Sequence, residues 1–292
     1  MKCIVCGNDK FELIHHGTRD IKNVDVYKCM CCGGNQLSSF DHITQGFYEH
    51  SGMYQNNNIK NLSNEAAITD DLRRITMFAQ DFMGKTLLDF GCGQGGFLRL
   101  AQNYAQKVYG VELEETSRNL LNKDGIKTEA DINQFSQKFD VITMFHVIEH
   151  LTQPYEFLKL IREKLDDNGQ LIIETPNAND VLISRYNCEA FKNFTYWGCH
   201  VFLYTSYSLE LLLKQAGFKI NWSKQIQRFP ISNHLYWLSK EKPGGHNIWK
   251  DMNLEELNHA YARVLEKNNM CDTLLLSCLL YTSPSPRDGA TS

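Results

Sequence analysis

The sequence predicts an α/β protein: a mostly parallel sheet of seven strands with helices on its faces, a small unit in front and a helical extension behind. Three observations predict it. From Lys85 onward, short apolar runs alternate with helix-spaced patterns, which is the signature of βαβ units. A glycine-rich turn, Leu87-Leu-Asp-Phe-Gly-Cys-Gly-Gln-Gly-Gly-Phe-Leu98, lies between the first of these runs and the helix after it, so the sheet reads as Rossmann-like. Two Cys-x-x-Cys turns, Cys3 to Cys6 and Cys29 to Cys32, bound the unit in front.

Taken in order, residues 1–40 form the cysteine-bounded unit, with strand-like runs at Phe11–His15 and Val24–Lys28. Residues 41–82 read as a linker and a lid helix. Gln55–Asn64 is polar and Asn-rich, hence a loop, and Ala66–Phe82 places Ile68, Leu72, Ile75, Phe78, Ala79 and Phe82 at helical spacing. Residues 83–240 hold the sheet domain. Its strands are expected at Thr86–Phe90, Lys107–Val111, Phe139–Phe145 and Gln170–Thr175, and its helices at Phe97–Asn103, Glu115–Lys123, Tyr155–Leu165 and Leu209–Ala216. Gly217 is placed to end the last of these helices. Lys219–Ser223 and His234–Leu238 are expected to supply the final strands. Residues 241–277 read as a helical extension around Leu254–Lys267 that runs on to about Leu276. Residues 278–292 are set apart: Cys278–Asp288 back-translates, codon by codon, into the end and adapter of a transposase-based sequencing library.

Bulk properties narrow the function classes. A formal charge of −4 provides no basic field for a nucleic-acid backbone, which argues against such a partner. No apolar run is long enough to span a membrane, and the N-terminus lacks the apolar core of a signal peptide, so the cytoplasm is expected. Of the 10 cysteines, those from Cys3 to Cys32 cluster, with Cys29, Cys31 and Cys32 almost contiguous, while the rest are scattered. In a cytosolic chain that clustering points to a metal before disulfides. Cys3, Cys6, Cys29 and Cys32 make a closed four-thiolate set for a structural zinc ion, a zinc ribbon, with Cys31 spare or part of a shifted set.

The glycine turn lets the backbone approach a ligand, and amides at the start of the following helix can meet an anionic group. Its spacing has two readings. Gly91, Gly93 and Gly96 fit a dinucleotide pattern, whereas Gly91, Gly93 and Gly95 fit another. Glu112, at the end of the second strand, is placed to hold ribose hydroxyls under either one. Asp89 separates them. An acidic side chain inside an apolar strand is costly without a partner, and a ligand bearing an ammonium group supplies one. Asp131, after the third strand position, is placed for an adenine edge.

Leu87–Phe97, Glu112, Asp131 and the run Phe139-Asp-Val-Ile-Thr-Met-Phe-His-Val-Ile-Glu-His150 resemble the ordered motifs of class I S-adenosylmethionine-dependent methyltransferases. The His146–Leu151 element, Thr175-Pro-Asn177 and Trp197–Ser206 with Leu209–Phe218 resemble the branch with ubiquinone-biosynthesis O-methyltransferases and many small-molecule enzymes. The resemblance implies that Asp89, Gly91, Cys92, Gly93, Gly95, Glu112, Leu113, Asp131, Ile132, Phe145 and His146 hold the cofactor, S-adenosylmethionine. It also implies a small-molecule acceptor, a sugar or lipid precursor, methylated at oxygen or carbon. His146, Glu149 and His150 stand where some ubiquinone-type enzymes carry a divalent-metal set, but His146 replaces a carboxylate, which puts magnesium in doubt. A similar cysteine unit precedes the catalytic domain of sugar C-methyltransferases.

Methyl transfer from a sulfonium is an in-line displacement, so positioning and desolvation carry much of the catalysis, and a base is needed only for a protonated acceptor. The candidates for that role are His146, Glu149, His150 and His200, with His150, His200 and Glu149 placed foremost, beside the structural alternatives of a helix cap for Glu149 and a hydrogen-bonded structural residue for His150. Two other functions stay open at this point: an NAD-dependent oxidoreductase sharing the glycine turn, and a non-catalytic binding protein whose zinc ribbon recognises a partner.

Overall fold

The structure is a computed structural model and describes residues 1–44, 46–49 and 60–280. Three short strands open the chain: β1 (Phe11–His15), β2 (Val26–Cys29) and β3 (Asn35–Leu37). Helix α1 (Lys60–Phe82) leads into β4 (Thr86–Phe90), followed by α2 (Gly96–Ala101), β5 (Lys107–Val111), α3 (Glu115–Lys123), β6 (Lys127–Glu129) and β7 (Phe139–Phe145). Then come α4 (Pro154–Lys164), β8 (Leu165–Pro176), α5 (Val181–Ser184), α6 (Glu189–Thr195), β9 (Phe202–Leu203) and α7 (Ser206–Gln215). Strand β10 (Phe218–Ile226), helices α8 (Ile231–Lys240), α9 (Gly245–Ile248) and α10 (Glu255–Lys267), and strand β11 (Thr273–Leu280) end it. Of the predicted loop Gln55–Asn64, residues 55–59 lie outside the described residues, and Lys60–Asn64 already belong to α1.

Local chemistry sets many of these boundaries. The Glu114 carboxylate accepts from the amides of Thr116 and Ser117 and starts α3. Pro154 occupies the first turn of α4, where its missing N–H costs nothing. Thr205 and Ser208 form a reciprocal capping box at the start of α7, and Gly217 leaves that helix at φ 85°.

Seven strands form the main sheet in the order β10-β11-β8-β7-β4-β5-β6. Strands β4 to β8 run parallel, and β11 is inserted antiparallel between β8 and β10. That insertion corrects the reading of the C-terminal part. Thr273–Leu280 is a strand, paired from Thr273↔Pro176 to Leu279↔Gln170, not the end of a helix. The run Thr273-Leu-Leu-Leu-Ser-Cys278 is buried throughout, and a short unbroken apolar run has no period that separates a strand from a buried helix. Conversely, His234–Leu238 lies within α8 and adds no strand, with Trp237 as its buried anchor. Cys278–Leu280, the start of the tail set apart above, pair in β11, while residues 281–292 lie outside the described residues.

The two faces of the sheet carry separate cores. On one face Leu88, Ile142 and Met144 meet α4 and α7 through Leu158, Ile161, Leu209 and Leu212. On the other, Leu87, Val141 and Leu275 meet Ile75, Phe78 and Phe82 of α1 and Phe97 and Leu98 of α2. Cys3, Val5, Cys29 and Cys32 belong to the first core, so the N-terminal unit is packed onto the sheet domain. Strand β3 also pairs with β9, joining the two in a four-stranded sheet, β1-β2-β3-β9. Gly34 marks the closeness of that contact: a Cβ there would fall 2.2 Å from Phe202 Cζ. Among the described residues, no helix is long and apolar enough to cross a membrane.

Candidate active site

The turn after β4 is held from three sides. Gly91, Gly93 and Gly95 all take left-handed φ, 79°, 52° and 74°, which an L side chain resists. The amides of Gly91 and Cys92 donate to the Val111 carbonyl at 2.8 and 3.0 Å, tying the turn to the end of β5. The Glu112 carboxylate accepts from the Gly93 amide at 2.7 Å and from the Glu114 amide at 2.9 Å. Above the turn sits the loop after β7, so close that a Cβ on Gly91 would lie 2.4 Å from Val147 Cγ2. Beside Glu112, Leu113 is 41% exposed. Further along the same sheet edge, Asp131 caps a short 3₁₀ turn by accepting from the Asn133 amide at 2.8 Å, and Ile132 behind it is buried.

Asp89 lies under this turn and is buried. Opposite it in register, Thr143 of β7 donates its hydroxyl to Asp89 Oδ1 at 2.7 Å. Burial pushes the Asp89 carboxyl up to about 7, against the Thr143 hydrogen bond and the Arg74 charge. A carboxylate left in that position has little to offset its desolvation until a cation arrives.

A charge network fills the neighbouring strand ends. Glu174 of β8 is fully buried and accepts from Arg74 Nη2 at 2.7 Å and Arg73 Nη2 at 2.9 Å, both from α1. His146 follows β7 with φ 56°, its Nε2 3.2 Å from Glu174 and 3.0 Å from Arg228 Nη1, its Nδ1 3.3 Å from Glu149. Burial opposes a charge on His146, yet the two carboxylates hold its pKa above the ordinary imidazole value. Glu149 is also buried and accepts from Thr175 Oγ1 at 2.9 Å. Burial alone would raise its carboxyl; the hydrogen bond and the charge of His146 hold it down at about 2. The Arg74 guanidinium stacks 4.5 Å over the Phe145 ring.

Glu174→Gln removes the counter-charge of two arginines and is expected to lower stability by about 2–4 kcal/mol. The loss stays below the largest broken-pair values because Asp70 and Asp71 still touch Arg73 and Arg74. Urea denaturation measures it, and a change under about 1 kcal/mol is at odds with a buried charge cluster.

On the outer side of this network, His150 Nδ1 lies 2.8 Å from the Cys199 carbonyl, and its ring is 5.1 Å from that of His200. His200 Nδ1 lies 3.1 Å from the Thr195 carbonyl, and burial pushes its pKa down to about 4. His200 is therefore neutral at physiological pH. The fold brings Asp89, the glycine turn, Glu112, Phe145, His146, Glu149, His150 and His200 to the carboxyl ends of adjacent strands, where sheets of this type bind ligands. Asp131 sits apart, one strand beyond.

In the N-terminal unit, Cys3 Sγ is 3.6 Å from Cys32 Sγ, Cys6 Sγ is 3.6 Å from Cys29 Sγ, and all four sulfurs lie within 4.8 Å of one another. A tetrahedral zinc ion with its usual bond lengths separates its sulfurs by about 3.8 Å, so the four thiols fit one. Gly7 and Gly33 turn each knuckle with φ 70° and 75°, and Cys31 points outward, exposed.

Arg73, Arg74, Arg228, Glu174, Thr143, Tyr48 and Cys199 were not among the residues the sequence singled out. Glu174 carried a usable signal: like Asp89, it is a lone acid inside an apolar run, Leu171-Ile-Ile-Glu-Thr175. Arg73 and Arg74 carried none, since an Asp/Arg-rich helix face reads as solvated.

A family described as "Methyltransferase domain" matches residues 61–222. The chain belongs to the class I S-adenosylmethionine-dependent methyltransferases. The family decides the two readings of the glycine turn in favour of S-adenosylmethionine over a nicotinamide dinucleotide. The ubiquinone biosynthesis O-methyltransferase of Hydrogenovibrio crunogenus is 21% identical to this methyltransferase over 251 residues, 76% of this chain and 99% of the relative. The mitochondrial ubiquinone biosynthesis O-methyltransferase of Schizosaccharomyces pombe is 24% identical over 153 residues, 48% of this chain. An uncharacterized protein of Haemophilus influenzae is 32% identical over 158 residues, 47% of this chain. The methyltransferase spans just over half the length of these last two, 54% and 58%. Among solved structures, a SAM-dependent methyltransferase from Archaeoglobus fulgidus shares the fold with a TM-score of 0.50 and 20% identity, over 71% of this chain and 91% of that one.

Proposed function

We propose that the protein moves the methyl group of S-adenosylmethionine to a small-molecule acceptor, a sugar, lipid precursor or similar metabolite. Oxygen is the favoured methylated atom, with carbon as the second choice, because two of the relatives named above are ubiquinone biosynthesis O-methyltransferases. The observation that carries the reading is the buried Asp89 carboxylate beneath three left-handed glycines. When bound, the cofactor supplies an electrophilic methyl on a sulfonium; the chain supplies position and a dry surround. In this reading Asp89 takes the ammonium of the methionyl end, and the amides from Gly91 through Cys92 and Gly93 to Gly95 line its path. Glu112 takes the ribose hydroxyls, Leu113 and Ile132 flank the adenine, and Asp131 meets its amino edge. Phe145 and His146 close the methionyl side. His150 and His200, with Glu149 behind them, face the acceptor and ease the loss of its proton.

The four-cysteine cluster is proposed to hold a structural zinc ion that braces this acceptor wall through β3 and β9. The whole proposal is tested by incubating the purified protein with methyl-labelled S-adenosylmethionine and cell extract, then identifying the labelled product by mass spectrometry. Label in a low-molecular-mass metabolite is expected. Label confined to nucleic acid or protein, or none above a heat-killed control, is the contrary result. A thermal shift with S-adenosylhomocysteine but none with NAD gives a second check; a ligand at a hundred times its Kd stabilises by about 2.7 kcal/mol.

A further inference from the structure

Besides the four cysteines, the described residues contain one more group of metal-ligating side chains whose donor atoms converge. His150, Cys199 and His200 each offer an atom within 4.8 Å of the other two. The group is assembled from separate stretches of chain. His150 ends a 3₁₀ turn after β7, and Cys199 and His200 lie in the loop between α6 and β9. The Tyr48 hydroxyl is shared between the His150 carbonyl at 3.2 Å and the Cys199 carbonyl at 3.4 Å, which bridges the two stretches.

In both histidines one ring nitrogen is engaged by a backbone carbonyl, which fixes the tautomer. His150 Nδ1 faces the Cys199 carbonyl at 2.8 Å, and His200 Nδ1 faces the Thr195 carbonyl at 3.1 Å. A carbonyl only accepts, so each Nδ1 carries the proton and each Nε2 presents its lone pair. Metal-ligating imidazoles are oriented in this way, by a carbonyl or carboxylate on the far nitrogen. Cys199 is buried and the two rings are half-buried. Two imidazoles and a thiolate suit zinc and are poor company for magnesium, which prefers oxygen ligands.

We propose that His150, Cys199 and His200 bind a zinc ion, with three protein ligands and a fourth position open to water or to a hydroxyl or thiol of the acceptor. Three ligands with an open position are the pattern of a working zinc site, whereas the four-cysteine cluster is closed. The existence of this second site is independent of the methyltransferase reading; its role toward the acceptor rests on that reading.

Zinc content of the purified full chain tests it. Wild type is expected to hold about two equivalents, and His200→Ala and Cys199→Ser about one each. One equivalent in wild type, or two retained in both variants, overturns the proposal. S-adenosylhomocysteine affinity measured on the same samples reports whether the fold has survived. If it falls in the variants, a chelator titration of wild-type protein decides: zinc is expected to leave in two phases, the open site first, and a single phase overturns the second site. Should zinc drop by one equivalent while methyl transfer persists undiminished, the site stands and its role at the acceptor is refuted. Absence of methyl transfer in every sample, with the zinc loss as expected, removes the functional reading and leaves the metal site.

Discussion

Asp89→Asn is expected to abolish tight cofactor binding and at the same time to make the folded protein more stable above pH 7. Asparagine has nearly the same shape, and its carbonyl still accepts from Thr143, so the packing under the glycine turn is preserved. What disappears is the charge. Losing a buried hydrogen bond between charged partners costs about 2–3 kcal/mol, or roughly 30- to 150-fold in the Kd of S-adenosylhomocysteine. The stability gain follows from the same carboxyl, whose pKa in the folded chain is raised to about 7 by burial. A raised carboxyl favours the folded state while protonated in both states, below its unfolded pKa near 4. That advantage is lost as the pH rises through about 7. The variant is thus expected to match wild type at pH 4 and to exceed it by about 2–4 kcal/mol at pH 8, read from denaturation at both pH values. Cofactor affinity of wild type should rise with pH up to about 7 and flatten beyond, while the variant shows no such slope. Unchanged affinity in Asp89→Asn removes the carboxylate from the cofactor site.

The second large effect is expected from Cys29→Ser, at the most deeply buried of the four clustered thiols. Zinc binding to a structural cysteine site is worth on the order of 10 kcal/mol, and a ligand set of three keeps only part of it. Cys29 ends β2, whose neighbour β3 pairs with β9, and β9 begins two residues after His200. Loosening the ribbon is therefore expected to displace the proposed acceptor wall while the glycine turn, on the far side of the loop after β7, keeps its own supports. The expected outcome is a fall in methyl transfer of at least about 100-fold, as displacements of about 1 Å produce, with S-adenosylhomocysteine affinity within a few-fold of wild type. Full turnover with the zinc lost disconnects the ribbon from catalysis. Because Cys3, Val5, Cys29 and Cys32 lie in the same core as Phe202 and Tyr204, a chain lacking residues 1–40 exposes those aromatics and is expected to aggregate.

The glycine turn and acids proposed to hold the cofactor were legible in the amino-acid order because each part is local. A turn needing positive φ requires glycine, as at Gly91, Gly93 and Gly95; an acid in an apolar strand requires a partner, as at Asp89; a carboxylate one strand later marks Glu112. The strands Thr86–Phe90, Lys107–Val111 and Phe139–Phe145 were legible for a related reason, since the βα alternation repeats their pattern. Residue types and spacings at Cys3, Cys6, Cys29 and Cys32 likewise picked out, without any geometry, the four thiols that the fold gathers.

Tertiary structure alone decided the rest. Strand β11 looks like a helix end because an apolar run buried on both sides has no period; only its insertion between β8 and β10 distinguishes the two. Arg73, Arg74 and Arg228 read as surface charges until Glu174 and Asp70 meet them from other elements, for an ion pair 100 residues apart in sequence leaves no trace in local composition. His150 and His200 were candidates one at a time, but that they stand beside each other with Cys199 close by, each with its Nδ1 facing a carbonyl, depends on how the loop before β9 is placed against the turn after β7.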